Sequence, residues 1–255
     1  MFEIKKMKKY FNITAGYSLV HTAIHELYEL YERFDYFEDF VSYSEKIFLT
    51  NIHKPNKYSL PHIFLENISY QSLENALTSI SPSEMIEEIN HFMKYTGIPK
   101  PDWFSDIDNP KYKFKLLEIA ERVAQYEAKA AFEILFRDKE FLLNFQLKIK
   151  EVIENCIEKK SSIFKKNGNI KRVHIPAWLK KAIFYRDKGK CQLCGKDVSG
   201  LFNHYNELNY DHLLPLGAGG TNDSTNFILL CCECNQMKKD KVIEFENKEE
   251  FWFKE

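Results

Sequence analysis

Two Cys-x-x-Cys pairs, Cys191/Cys194 and Cys231/Cys234, constrain this chain more than any other feature. Cysteines three positions apart can present both sulfurs of a tight turn to one ion. Two such turns supply the four ligands of a tetrahedral, structural zinc. Gly195, directly after Cys194, suits the first turn. Joining the pairs through one ion closes a loop of 36 residues, 195–230, too long to be a plain connection, so it must house structure of its own. Six cysteines are present, and five fall in these two clusters. That pattern reads as metal binding in a reducing compartment and not as a disulfide framework. Cys232 breaks the spacing and is expected to point away from the ion. Cys156 stands alone on a helical face and reads as a small core residue.

Between the pairs lies a second set of residues with chemistry: Asp211, His212 and Asn226, with Asn235 directly after the last cysteine. Asp211 offers a carboxylate and Asn235 an amide oxygen, donors that suit a hard divalent cation. Zinc at Cys231 and Cys234 would pin the start of the helix that carries Asn235. His212, beside a metal ligand, titrates in the range needed to deprotonate water. One site would hold the fold; the other could cut a phosphodiester. Singly these residues are ordinary, since an Asp-His pair is often just a turn, but together between two knuckles they point to a reaction centre.

The charge distribution agrees. The net charge is −1, yet residues 1–164 carry 21 Lys/Arg against 25 Asp/Glu, a balance of −4, while residues 165–255 carry 15 against 12, a balance of +3. From Lys165 to Lys196 there are ten basic residues and one acid, Asp187. Such a local basic patch is the footprint of a polyanion partner. Arg172, Lys180, Lys181 and Arg186 are the candidates for phosphate contact there. Lys238, Lys239 and Lys241 follow the site and either touch flanking phosphates or form a solvated helix end. No apolar run approaches the roughly 18 residues of a spanning helix, and Met1 to Tyr10 lacks the apolar core of a signal peptide, so the expectation is a cytoplasmic protein with no membrane partner.

The first two-thirds reads as helical. Leu19, Val20, Ala23, Ile24, Leu27, Leu30, Tyr31 and Phe34 recur at three- and four-residue steps over Tyr17 to Phe34. Asp35 to Leu49 continues in the same style. Ser81-Pro82 predicts a helix start, with an end near Tyr95 before Gly97. Asn109-Pro110 opens a run from Lys111 to Phe136, and Asp138 can cap a last helix to about Lys159. Lys165 to Asn169 breaks the pattern and is the expected domain boundary. Beyond it, the reading is a helix from Ala177 to Tyr185, strands over Glu207 to Leu214 and Phe227 to Leu230, a loop over Gly217 to Ser224, and a helix from Glu233 to Val242. Trp178 reads as a packing residue. His21 and His25, four apart, have no third ligand in evidence. The 14 tyrosines and 21 phenylalanines can build a large core but name no ligand.

Residues 171–242 resemble the HNH endonucleases with a ββα-metal core. The run Arg186 to Gly195, the strand end Asp211 to Pro215, Gly219-Gly220, Asn226 to Cys231 and Cys234 to Lys238 carry the likeness. The resemblance implies that His212 is the general base, that Asp211 and Asn235 hold the catalytic metal, and that Asn226 fixes the loop that orients His212. The family often has histidine where this chain has Asn235, and an Asp/Asn oxygen pair favours Mg²⁺ or Mn²⁺ over zinc or nickel.

The expected architecture is therefore α+β. A mostly helical domain over 1–164, regulatory, targeting or oligomerising in role, precedes a small zinc-stabilised HNH nuclease domain over 165–255. The expected partner is DNA, bound by the basic half, with a second copy or a partner protein on the helical half. A fragment starting near Lys165 is expected to keep salt-dependent DNA binding. A helical domain ahead of a nuclease is similar in layout to effectors of bacterial anti-phage defence. The competing reading is a non-catalytic zinc-containing nucleic-acid-binding or adaptor protein, which would have no use for Asp211, His212 and Asn235.

Overall fold

In the computed structural model the described residues are 13–29, 45–105, 111–156, 162–200 and 208–245. They form helices α1 (Tyr17–Glu29), α2 (Glu45–His53), α3 (Leu60–Thr78), α4 (Pro82–Thr96), α5 (Tyr112–Leu135), α6 (Lys139–Cys156) and α7 (Ala177–Arg186). Strands β1 (Leu208–His212) and β2 (Phe227–Cys231) and a short helix α8 (Cys232–Lys238) complete them. Helices in the N-terminal part and a two-stranded sheet with a helix at the C-terminal end make the chain α+β.

Local chemistry explains most boundaries. The Ser81 hydroxyl accepts from the Glu84 N–H, and the Glu84 carboxylate accepts from the Ser81 N–H at 2.9 Å, a reciprocal cap that starts α4. Gly97, at φ 70°, ends it. Asp138 Oδ1 accepts from the Phe141 N–H at 2.8 Å and starts α6. Helix α3 had no clear signal in the sequence. Its apolar residues are spread around the helix and not gathered in one stripe, so periodicity did not reveal it. Conversely, α8 stops at Lys238 and not at Val242, because Lys239 turns to a positive φ of 48°. The expected helical extensions over 30–34, 35–44 and 157–159 lie outside the described residues.

The described residues fall into two compact units. The first comprises the described residues of 13–26, 62–105 and 111–134. Its core gathers Leu77, Met85, Ile89, Leu116 and Val123, with Tyr112 donating from its hydroxyl to the Phe104 carbonyl at 2.6 Å. Burying each large aliphatic side chain contributes about 1.5–3 kcal/mol. Gly16 lies so close to Ala130 and Ala131 of α5 that a Cβ there would collide with backbone.

The second unit comprises 27–29, 45–61, 135–156, 162–200 and 208–245. In it β1 and β2 pair antiparallel, with Leu208 opposite Cys231 and His212 opposite Phe227. Every residue of β2 is buried, because α7 packs on that strand and α8 covers both strands. Lys165 to Asn169 is a tight turn, its ends joined by Lys165 N–H to Asn169 O at 2.8 Å, with Gly168 at φ 81°. The turn does not part the compact units, since α6 before it and α7 after it lie in the same one.

Candidate active site

Cys191, Cys194, Cys231 and Cys234 converge, with all four Sγ atoms within 4.8 Å of one another. The Cys194 and Cys231 sulfurs are 3.8 Å apart, far beyond a disulfide bond and equal to the ~3.8 Å edge of a tetrahedron with zinc–sulfur bonds of about 2.3 Å. Cys231 caps α8, its sulfur facing the Cys234 N–H at 3.5 Å. Burial raises the Cys191 thiol, but N–H groups of Cys231, Cys194 and Leu193 outweigh it and bring the pKa to about 7. Burial pushes Cys231 up to about 11 and Cys234 upward as well, so a cation is needed to hold four thiolates together. The donor set fits a structural zinc. Cys232 stands apart from the cluster, its sulfur accepting from Gln236 Nε2 at 3.3 Å.

His212 closes β1 and is 1% exposed. Its ring lies 4.5 Å from that of Phe227, and its Nε2 is 3.2 Å from Asn222 Oδ1. Its Nδ1 has no hydrogen-bond partner among the described residues. Burial lowers its pKa to about 4, and the charge of Arg172 adds to this. The imidazole is therefore neutral near pH 7, able to accept a proton.

Asp211, one residue earlier, points to the other face of β1. Its Oδ2 accepts from Lys238 Nζ at 2.8 Å, and the same ammonium donates to the His212 carbonyl at 2.7 Å. Asn235 is half-buried and sits three residues before Lys238 on α8, so the two share a side of the helix. A carboxylate at Asp211 and an amide oxygen at Asn235 are donor types that a hard cation takes.

Asn226 shapes the loop between the strands. Its Oδ1 accepts from the Leu214 N–H at 2.8 Å, and its Nδ2 donates to the carbonyls of Leu214 at 2.9 Å and Thr221 at 2.8 Å. The Leu213 N–H donates to the Asn226 carbonyl at 2.9 Å. These bonds tie the residue after His212 to the start of β2. Gly220 closes the turn against Leu214, where any Cβ would strike a backbone carbonyl.

Sequence reasoning placed Gly217 to Ser224 in a loop and gave Thr221 to Thr225 no part in the site. All five residues are buried. Asp223 Oδ2 accepts from the Leu60 N–H at 2.9 Å, and its Oδ1 accepts from the Thr225 N–H and hydroxyl. Ser224 donates to the Asn56 carbonyl, and Thr221 to Gln146 Oε1. The Asn222 N–H donates to the Ile52 carbonyl at 2.9 Å. A signal was available: five consecutive polar residues between the Asp211-His212 pair and a fully apolar strand need partners, and those lie far away in sequence.

The basic residues divide in two. Arg172, Lys181, Lys239 and Lys241 are exposed, and Lys180 is half-buried with its ammonium 5.9 Å from the Tyr210 ring. Arg186, expected at a phosphate, and Lys238, expected at a phosphate or on a solvated helix end, both have carboxylate partners within the protein. The Arg186 side chain is 1% exposed, pairs with Asp187 at 2.7 Å, donates to the Phe227 carbonyl and stacks on Phe136. Asp187 in turn accepts from the Leu229 N–H, so Arg186 braces β2. Lys238 is fully buried against Asp211. In both cases a carboxylate claims the charge that the sequence left free.

No curated protein and no solved structure matches the chain. Residues 191–241 match the model of the HNH endonuclease family, a stretch that contains the four cysteines, Asp211, His212, Asn226 and Asn235. The C-terminal region of this chain carries an HNH endonuclease domain with a four-cysteine zinc cluster.

Proposed function

We propose that this protein is a metal-dependent endonuclease that hydrolyses DNA phosphodiester bonds. The observation that supports the reading best is the neutral, buried His212, with one ring nitrogen unpartnered among the described residues, directly beside Asp211 at the end of β1. His212 takes the proton of the attacking water. Asp211 and Asn235 hold Mg²⁺ or Mn²⁺, which when bound supplies Lewis acidity at the scissile phosphate. Asn226 keeps the loop, and with it His212, in register. Exposed Arg172, Lys181, Lys239 and Lys241, with Lys180, give salt-sensitive affinity for the backbone. The domain division at 164/165 is read in functional terms, with DNA bound after it and the helical part controlling the nuclease or joining it to a second copy or a partner. A role in anti-phage defence, in the cytoplasm, fits that layout by analogy alone.

A second reading, a non-catalytic zinc module, draws on Lys238, whose ammonium already neutralises one oxygen of Asp211. The other oxygen remains for a cation, which favours the first reading. Supercoiled plasmid incubated with the pure, zinc-loaded protein decides between them. Nicking or linearisation with Mg²⁺ or Mn²⁺, stopped by chelator, supports the nuclease. Binding without cleavage in either metal supports the module. A single-stranded RNA substrate in parallel tests the preference for DNA.

A further inference from the structure

We propose that Asn222 is a positioning residue that holds His212 in the tautomer with its proton on Nε2, and that it can do so because the carbonyls of His53 and Lys171 fix its own amide. The proposal rests on the nuclease reading for its consequence, though not for its geometry.

Asn222 is fully buried. Its Nδ2 donates to the carbonyl of His53 at 2.9 Å and to that of Lys171 at 2.8 Å. An amide nitrogen has two protons, and both are used. Turning the amide over would set its oxygen against two carbonyl oxygens, so the orientation is decided by its surroundings. Oδ1 then faces His212 Nε2 at 3.2 Å. That oxygen can only accept. The proton of the neutral imidazole therefore belongs on Nε2, because a lone pair there would oppose the lone pairs of Oδ1. Nδ1 is left as the basic nitrogen, and it is the ring atom with no partner among the described residues.

The supports of Asn222 come from outside the nuclease motif. His53 ends α2, and Ile52, whose carbonyl accepts the Asn222 N–H, precedes it. Lys171 lies between α6 and α7. A segment more than 150 residues before the reaction centre thus sets which nitrogen of its base is free. The helical part would act on the nuclease by keeping or releasing this support.

The test uses the full-length, zinc-loaded chain labelled with nitrogen-15 in its eight histidines, at one fixed neutral pH. The His212 signals are identified by their loss in His212→Ala. The expected spectrum has a proton on Nε2 and a pyridine-type Nδ1. A proton on Nδ1 in the wild type overturns the proposal without any Asn222 variant. Asn222→Ala, with zinc content intact, is expected to show mixed tautomers. Its kcat on plasmid should fall on the order of 100-fold, within the ~10²–10⁴ that a general base contributes, with KM little changed. In the His212→Ala background the same substitution should cost nothing more. An unchanged kcat in Asn222→Ala, or additive losses in the double variant, would overturn the proposal. If the wild type cuts no nucleic acid, the nuclease reading fails, and the spectrum alone then decides the tautomer.

Discussion

Removing residues 1–164 should cost the HNH region most of its order. Five hydrogen bonds join Thr221–Ser224 to residues that such a fragment lacks. They run from the Asn222 N–H to the Ile52 carbonyl, from Asn222 Nδ2 to the His53 carbonyl, and from the Leu60 N–H to Asp223. Two more run from Ser224 to the Asn56 carbonyl and from Thr221 to Gln146, and all five span 2.8–2.9 Å. At about 1 kcal/mol net each, they contribute ~5 kcal/mol. That is the lower end of the roughly 5–15 kcal/mol that holds a whole domain together. Phe136 and Lys139, which cover Arg186 and Asp187, leave as well. Zinc can still gather the two knuckles, since its binding energy is local. A fragment of residues 165–255 should therefore bind zinc yet melt without cooperativity, or with a midpoint lower by on the order of 20 °C. Circular dichroism melts with zinc analysis, fragment against full chain, measure this. A fragment that melts cooperatively within a few degrees of the full chain would refute the reasoning and favour the expectation drawn from composition.

The other expectations concern single residues. Cys231→Ser should abolish stoichiometric zinc and unfold the C-terminal region, because Cys231 is both a ligand and the cap of α8; elemental analysis of natively purified protein reads this. Gly220→Ala should destabilise the chain by a few kcal/mol, seen as a lower denaturation midpoint, because the new Cβ meets the Leu214 carbonyl and a buried backbone must shift. Burial and the charge of Lys129 hold His62 down at about 3, against an ordinary value near 6.5. The unfolded chain takes up that proton first, so stability is whole above about pH 6.5 and falls as pH drops toward 3, by at most about 1.4 kcal/mol per pH unit. His62→Gln should flatten that limb in urea titrations run across the range; an unchanged slope would count against the burial argument.

What the sequence disclosed and what it hid follow from the range of each interaction. The zinc ligands were legible because ligand geometry is local: two residues between sulfurs, twice. Cys232 was separable from them by the same rule. Caps at Ser81, Gly97 and Asp138 were legible because a helix end is settled within four residues. The partners of Arg186 and Lys238 were not legible because charge is written in the sequence and burial is not; each sits against a carboxylate, Asp187 next door and Asp211 from β1. Asn222 and Asp223 were invisible as site supports because their partners, His53 and Leu60, lie more than 150 residues away. The composition break at Lys165 to Asn169 marks a real turn, but a turn joins as readily as it divides.

In the proposed nuclease His212 does chemistry and not merely packing. Its ring is buried and neutral, so His212→Ala should leave DNA affinity within about 2-fold while removing the ~10²–10⁴ that a general base contributes. The direct measurement is single-turnover cleavage of supercoiled plasmid in Mg²⁺ or Mn²⁺ by wild type and His212→Ala. Both proteins should be matched for zinc content and melting point, with filter binding to the same DNA alongside. Equal binding with cleavage lost in the variant is the expected result. Cleavage by His212→Ala at the wild-type rate would contradict it.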